Sequence, residues 1–320
     1  MHNRLFSRIV PLVLLFSIFA ETLPAYEHEI AILKFQSRRD YDETERGFVN
    51  AIRQMGYTDG ENMRISYFDM NRDKEKGIQY VKEIQDIPAS VVVAIGGHAA
   101  MLAKKHLPPE IPIVFVVLLH PERIFAEDRQ NVTGVDMEIP VAEKLQDIKR
   151  VLPSVQNVGV VYSERNIPLI ENAKTIATDL GITLVAKQIR DEAEVPQAFR
   201  DLEGNVDAIW VIPDLNVANR TKPVGKESWK FIMKFSLQNQ IPLFGYADFQ
   251  VKEGAFAALT VDHKDMGKQA AELVDQVLKG TPPAEIPYVS ARGFRHINEN
   301  TAKYLNIELP PTIQTNSEIH

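Results

Sequence analysis

The chain has no cysteine in 320 residues. Disulfides, thiolate nucleophiles and cysteine metal sites are therefore excluded. So is the lipid anchor of a lipoprotein, which is carried on a cysteine. Basic charge is also short, with 36 Lys and Arg against 43 Asp and Glu, and the net charge is −7. That balance argues against nonspecific binding to nucleic acid, which needs a basic surface. After residue 25 no apolar run reaches the roughly 20 residues that a bilayer span requires. No G-x-G-x-x-G, G-x-x-x-x-G-K-[ST], G-x-S-x-G or H-E-x-x-H pattern occurs, so nucleotide binding and motif-borne hydrolysis are unsupported. No catalytic residue, cofactor or metal site is assigned.

What is present is ordinary for a folded protein: 45% hydrophobic and 25% charged residues. The first residues, MHNRLFSRIVPLVLLFSIFAETLPAYE, follow the three-part plan of a signal peptide. Arg4 and Arg8 give the positive start, an apolar run follows from Ile9 to Ala20, and Ala20 and Ala25 offer small residues for cleavage. Cleavage is expected near Ala25, with residues 1–25 removed and the remainder free in a bacterial periplasm, not as a lipoprotein. About 295 residues then remain, enough for two domains.

Short apolar runs alternate with amphipathic segments along that body, which predicts βα units and parallel sheets. Strands are expected at EIAILKF, NMRISYF, SVVVAIGG, IPIVFVVLL and NVTGVDM. The pattern then restarts after residue 139 with NVGVVYS, TLVAKQI, DAIWVIP, IPLFGYA, a strand within VKEGAFAALTVDH, and YVSARGF. Helices are expected between them, among them 141–151, 169–180 and 265–278. The fold class is α/β, with two doubly wound parallel-sheet lobes. Such sheets bind ligands at the carboxyl ends of their strands, and a cleft between lobes is a usual ligand site.

From about residue 29 to 312 the chain resembles the type I periplasmic binding proteins. Within them it is similar to the ABC-transporter substrate-binding family that includes tryptophan- and other aromatic amino-acid-binding members. DAIWVIPD, 207–214, and the block FSLQNQIPLFGYADFQVKEGAFAALTVDHKDMGKQAAELVDQVLKG, 235–280, carry the resemblance; IPIVFVV, NVTGV and VGVVYSE match shorter blocks. The resemblance implies a hinge of three crossing segments, near 137–141, 261–264 and 286–290. Lobe I would then be 27–138 plus 264–286, and lobe II 140–261 plus 287–320. The sequence departs from the family at Gly96-Gly97-His98, His120-Pro121 and Asp214-Leu215-Asn216, where ligand contacts would lie.

The candidate ligand residues all stand at expected strand ends. Gly97 and His98 start a helix whose free N–H groups suit a carboxylate, or else form a tight turn. His120 ends another strand. Ser163 and Asn166 either bond a ligand head group or cap a helix. Asp214, with Asn216, suits an ammonium group or faces solvent in a turn. Asp248 is a second partner for an ammonium, and Tyr246 either stacks on a ring or packs in the core. Ser37 is a cleft hydrogen-bonder, beside the solvated pair Arg38 and Arg39. His98 and His120 with either aspartate make no recognisable metal motif.

These features, with the resemblance, imply a monomeric solute receptor that closes around an amino acid or similar zwitterion and delivers it to an ABC permease. A sensing module for a receptor kinase is the alternative. An enzyme using Asp214 and Asp248 lacks a motif. A DNA-binding regulator lacks a helix-turn-helix and would not carry an export signal.

Overall fold

The computed structural model describes residues 26–126, 128–217 and 223–320. The expected signal peptide lies outside them. Among the described residues no helix is long and apolar enough to cross a membrane.

The strands, in chain order, are β1 (His28–Lys34), β2 (Met63–Asp69), β3 (Val91–Ile95), β4 (Ile113–Leu118), β5 (Val132–Asp136), β6 (Asn157–Ser163), β7 (Thr183–Ile189), β8 (Ala208–Trp210), β9 (Leu243–Gly245), β10 (Ala257–Val261), β11 (Val289–Ser290), β12 (Gly293–Ile297) and β13 (Ser317–Ile319). The helices are α1 (Arg39–Gln54), α2 (Lys74–Gln85), α3 (Gly97–His106), α4 (Glu122–Phe125), α5 (Val141–Val151), α6 (Ile167–Asp179), α7 (Val195–Arg200), α8 (Pro223–Gln238), α9 (Asp248–Lys252), α10 (His263–Leu278), α11 (Glu299–Tyr304) and α12 (Pro311–Thr315).

The strands form two sheets, one per lobe. The first runs β2-β1-β3-β4-β5-β11 and is parallel throughout. The second runs β7-β6-β8-β9-β10-β12-β13, with only β10 and β12 antiparallel. A parallel sheet is covered on both faces, so its central strands read as near-continuous apolar runs. β3, with sequence VVVAI, is buried at all five residues. Its Val91, Val93 and Ile95 join Phe48 and Ile52 of α1 and Met266 and Val274 of α10. Val92 and Ala94 point the other way, to Ile84 of α2 and Ala99 of α3. The second sheet is sandwiched likewise, between α5 and α6 on one face and α7 and α8 on the other.

α10 follows a strand of the second sheet yet packs on the first lobe. Gly47 of α1 and Gly267 of α10 allow this. A Cβ on Gly47 would collide with the Lys264 carbonyl oxygen, and one on Gly267 with that of Thr44. The backbones therefore touch, and both lobes are discontinuous in sequence.

The chain passes between the lobes three times: between β5 and α5, at Asp262 between β10 and α10, and at Ala291–Arg292 between β11 and β12. The last passage corrects the expected boundary after residue 286 and the single strand YVSARGF. Val289 and Ser290 extend the first sheet, and the Ala291 N–H still donates to the Asp136 carbonyl at 2.7 Å. Gly293 already pairs with Val261 in the second sheet, against Leu259, where a Cβ would clash. The run is one stretch of β-forming sequence shared by two sheets, which periodicity alone does not divide. α9, α12 and β13 are likewise absent from the sequence-based expectation.

Candidate functional site

Apart from β12 and β13, which run the other way, the strands of both sheets point their carboxyl ends toward a cleft beside the three passages. In its first part lies a cavity of about 670 Å³, within the usual size of small-molecule sites. Lobe I lines it with Leu119, His120 and Arg123, and the first passage adds Met137 and Glu138. Lobe II contributes Lys144, Arg165, Asn166, Trp210, Phe244 and Tyr246 among others.

Local backbone features aim these side chains. In β4 the pairing with β5 shifts register between Phe115 and Leu118, and Val117 within that bulge has φ of +58°. A left-handed β-branched residue is strained, and such strain gathers at functional positions. The bulge re-aims the strand end, so Leu119 and His120 line the cavity. His120 also sits at φ +54°. Its Nδ1 lies 3.2 Å from a Glu138 carboxylate oxygen, linking the β4 end to the first passage.

On lobe II, α5 begins directly after that passage. Val141, Leu145 and Ile148 bury its inner face, and Lys144 and Asp147 project into the same cavity. Asp147 is paired with Arg295 of β12: Arg295 Nε donates at 2.9 and 3.2 Å, and a terminal guanidinium nitrogen donates as well. Lys144 is half-buried and has no ion pair among the described residues. Burial pushes its ammonium below the ordinary lysine value, while the Glu138 and Glu143 carboxylates pull the other way. A cation in this state favours an incoming anion.

The Asp214 carboxylate is turned into the protein. It is 5% exposed. It accepts from the Ser163 N–H at 2.7 Å, the Ser163 hydroxyl at 2.8 Å, Asn166 Nδ2 at 2.7 Å and the Asn216 N–H at 2.8 Å. Its acceptor positions are thus occupied by neighbours on β6, β8 and their loops. Asn216 Nδ2 adds a bond to the Arg190 carbonyl at 3.3 Å. The cluster ties three strand ends together and holds Asn166 at the cavity wall.

The second part of the cleft, about 1280 Å³, meets the first along Met137, Tyr246, Thr260 and Val261. The start of α1 lines it with Arg38, Arg39 and Arg46 on lobe I, and Asp248, His296 and Glu318 line it on lobe II. Asp248 pairs with Lys252 at 2.8 Å, and this hydrogen bond holds its carboxyl below the usual range.

Of the residues expected from sequence, His120, Asn166, Tyr246 and Asp248 line these cavities. Ser163, Asp214 and Asn216 brace the wall from behind. Ser37 donates to Asp69 at 2.6 Å on the exposed lobe I surface. Gly97 and His98 stand outside both cavities, and His98 stacks on Phe35 with ring centres 4.5 Å apart. Gly96 has φ of +101°, and a Cβ there would strike the Tyr41 ring, so the glycine turn serves packing at that position. Sequence reasoning missed Lys144, Arg165, Trp210 and Glu138. For Lys144 a signal existed: a charge on the inner face of an amphipathic helix that starts at a passage.

Two lobes of this topology, joined by three passages beside a cleft, define a type I periplasmic binding fold. The model of the ABC transporter substrate binding protein family matches residues 29–319, and the chain belongs to that family. Its members bind solutes and are not enzymes. A tyrosine-binding protein of Clostridioides difficile is 25% identical over 291 residues, covering 88% of this chain and 82% of the relative. Among solved structures, a ligand-free, open substrate-binding protein with adhesive properties from Clostridium difficile superposes with a TM-score of 0.74 at 23% identity, covering 92% of this chain and 99% of that one. An ABC domain in complex with L-Trp from Streptococcus pneumonia gives 0.54 at 23% identity, with the same coverage of each chain.

Proposed function

We propose that the chain captures an aromatic amino acid between its lobes outside the cytoplasm and hands it to an ABC permease. The observation that carries this is the first cavity. There Trp210, Phe244 and Tyr246 line the same cavity as Lys144 and Arg165. Flat rings favour a ring-bearing side chain. The cations and Asn166 suit the ligand carboxylate, and Glu138 suits its ammonium. The name of the tyrosine-binding relative supports the same class of ligand. Exported location rests on the N-terminal pattern of Arg4, Arg8 and the apolar run before Ala25.

Isothermal titration of the chain against the twenty amino acids tests this. Phenylalanine, tyrosine or tryptophan should bind most tightly, and Trp210→Ala should weaken that binding at least tenfold. Binding of none of the twenty, or a preference for a small aliphatic or acidic one, overturns the ligand class.

A further inference from the structure

β12 and β13 pair in parallel, with His296 opposite Glu318. Residues two apart on a strand share a face, so His320 falls on the same side as Glu318. Three metal-ligating groups thereby converge, although no sequence motif links them. His296 Nδ1 lies 3.0 Å from His320 Nε2 and 3.5 Å from a Glu318 carboxylate oxygen. His320 Nε2 lies 3.7 Å from the other Glu318 oxygen. Ligands held at about 2.0–2.1 Å around a tetrahedral zinc ion stand about 3.3 Å from each other. The three atoms are thus already near their bound spacing.

A second observation concerns the shell behind the ligands. His296 is 7% exposed, and its other nitrogen, Nε2, lies 3.0 Å from the Thr260 hydroxyl. With Nε2–H donating there, Nδ1 keeps its lone pair toward the cluster. Metal-binding histidines are oriented in this way by a partner on the far nitrogen.

We propose that His296, Glu318 and His320 form a divalent transition-metal site of the zinc class, with the fourth position open to the second cavity. Two imidazoles and one carboxylate suit zinc and neighbouring d-block ions over calcium or magnesium. On binding, the His320 proton moves from Nε2 to Nδ1, and both facing nitrogens coordinate. The ion would fasten β13 to the second sheet at the rim of the cleft.

The test is titration of the full chain, without an appended histidine tag, with zinc chloride, followed by calorimetry and thermal unfolding. One zinc per chain is expected, with a rise of several degrees in Tm that EDTA reverses. Glu318→Gln and His320→Gln, both outside the core, should each lose at least tenfold in affinity. His106→Gln, on α3, should bind as the parent does. X-ray absorption of the zinc-loaded chain should show two imidazoles. No zinc uptake below about 100 μM, or equal affinity in His320→Gln, overturns the proposal, as does an equal loss in His106→Gln.

Discussion

Replacing Asp214 by asparagine separates a brace from a ligand contact. Both oxygens of Asp214 accept hydrogen bonds, one from the Ser163 N–H and Asn166 and the other from the Asn216 N–H, with the Ser163 hydroxyl 2.8 Å from the first and 3.0 Å from the second. The best rotamer of asparagine keeps its oxygen toward Ser163 and Asn166. Its amide then faces the Asn216 N–H, donor against donor. One charge-assisted bond is lost, at about 2 kcal/mol. Asp214→Ala removes every acceptor and should cost about 4 kcal/mol, less than the sum of the bonds because water can reach the Asn216 side. The sequence has two tryptophans, Trp210 on β8 and Trp229 on α8. Both lie in lobe II, so tryptophan fluorescence during urea unfolding reports the lobe that holds the cluster. The Asn variant should unfold about 1 M earlier, with solute affinity changed by less than threefold. An unchanged unfolding midpoint combined with a tenfold loss of affinity would show that Asp214 touches the ligand, and the brace argument would fail.

Gly267→Ala forces a methyl group against the Thr44 carbonyl oxygen where α1 and α10 touch, and should destabilise lobe I by about 2 kcal/mol. Far-ultraviolet circular dichroism should register this as an early transition that the tryptophans do not see. His263, beside Asp262 at the second passage, is half-buried, with its Nδ1 buried and unpartnered among the described residues, and burial lowers its pKa from the ordinary 6.5. The unfolded chain therefore binds the proton more readily, so stability is full above that value and falls as pH drops through it. His263→Gln should flatten the loss of Tm between about pH 7 and 5; an unchanged slope refutes it. Lys144→Met removes a half-buried ammonium whose pKa burial has lowered. It should raise the urea midpoint of the ligand-free chain, because a buried unpaired charge opposes folding, while weakening amino-acid binding at least tenfold.

The fold was legible because two periodicities did not compete. β3 and β6 are dense in valine, α5 carries an apolar stripe, and each element lies within a residue or two of where its pattern placed it. The short pieces were not legible. β11 spans two residues, and its assignment to the first sheet depends on which backbone lies alongside. For the site, position and direction behaved differently. The strand-end rule found the neighbourhood of His120, Asn166 and Tyr246. It did not tell whether Asp214 points to the cleft or to Ser163, since that depends on a hydrogen-bond network closed by residues on other strands. Lys144 lies on a helix and not at a strand end, so a search confined to strand ends passes over it.

The charges of the first cavity are unequal in a way that bears on closure. Of its acids, Asp147 is fully engaged with Arg295, and Glu138 holds His120 through one oxygen and keeps the other for the ligand ammonium. Its cations Arg123, Lys144 and Arg165 have no carboxylate within ion-pair distance among the described residues. Bringing the lobes together would strip water from these heads, at a cost of several kcal/mol for a cation left without a partner. Under the proposed function the ligand carboxylate supplies that partner. A ligand shifts the equilibrium between open and closed forms only by its difference in affinity for the two. Here the difference arises because the carboxylate is most needed in the closed form, where water no longer reaches Lys144. A neutral ring of the same shape would fill the aromatic pocket without offsetting that cost, and would leave the lobes apart.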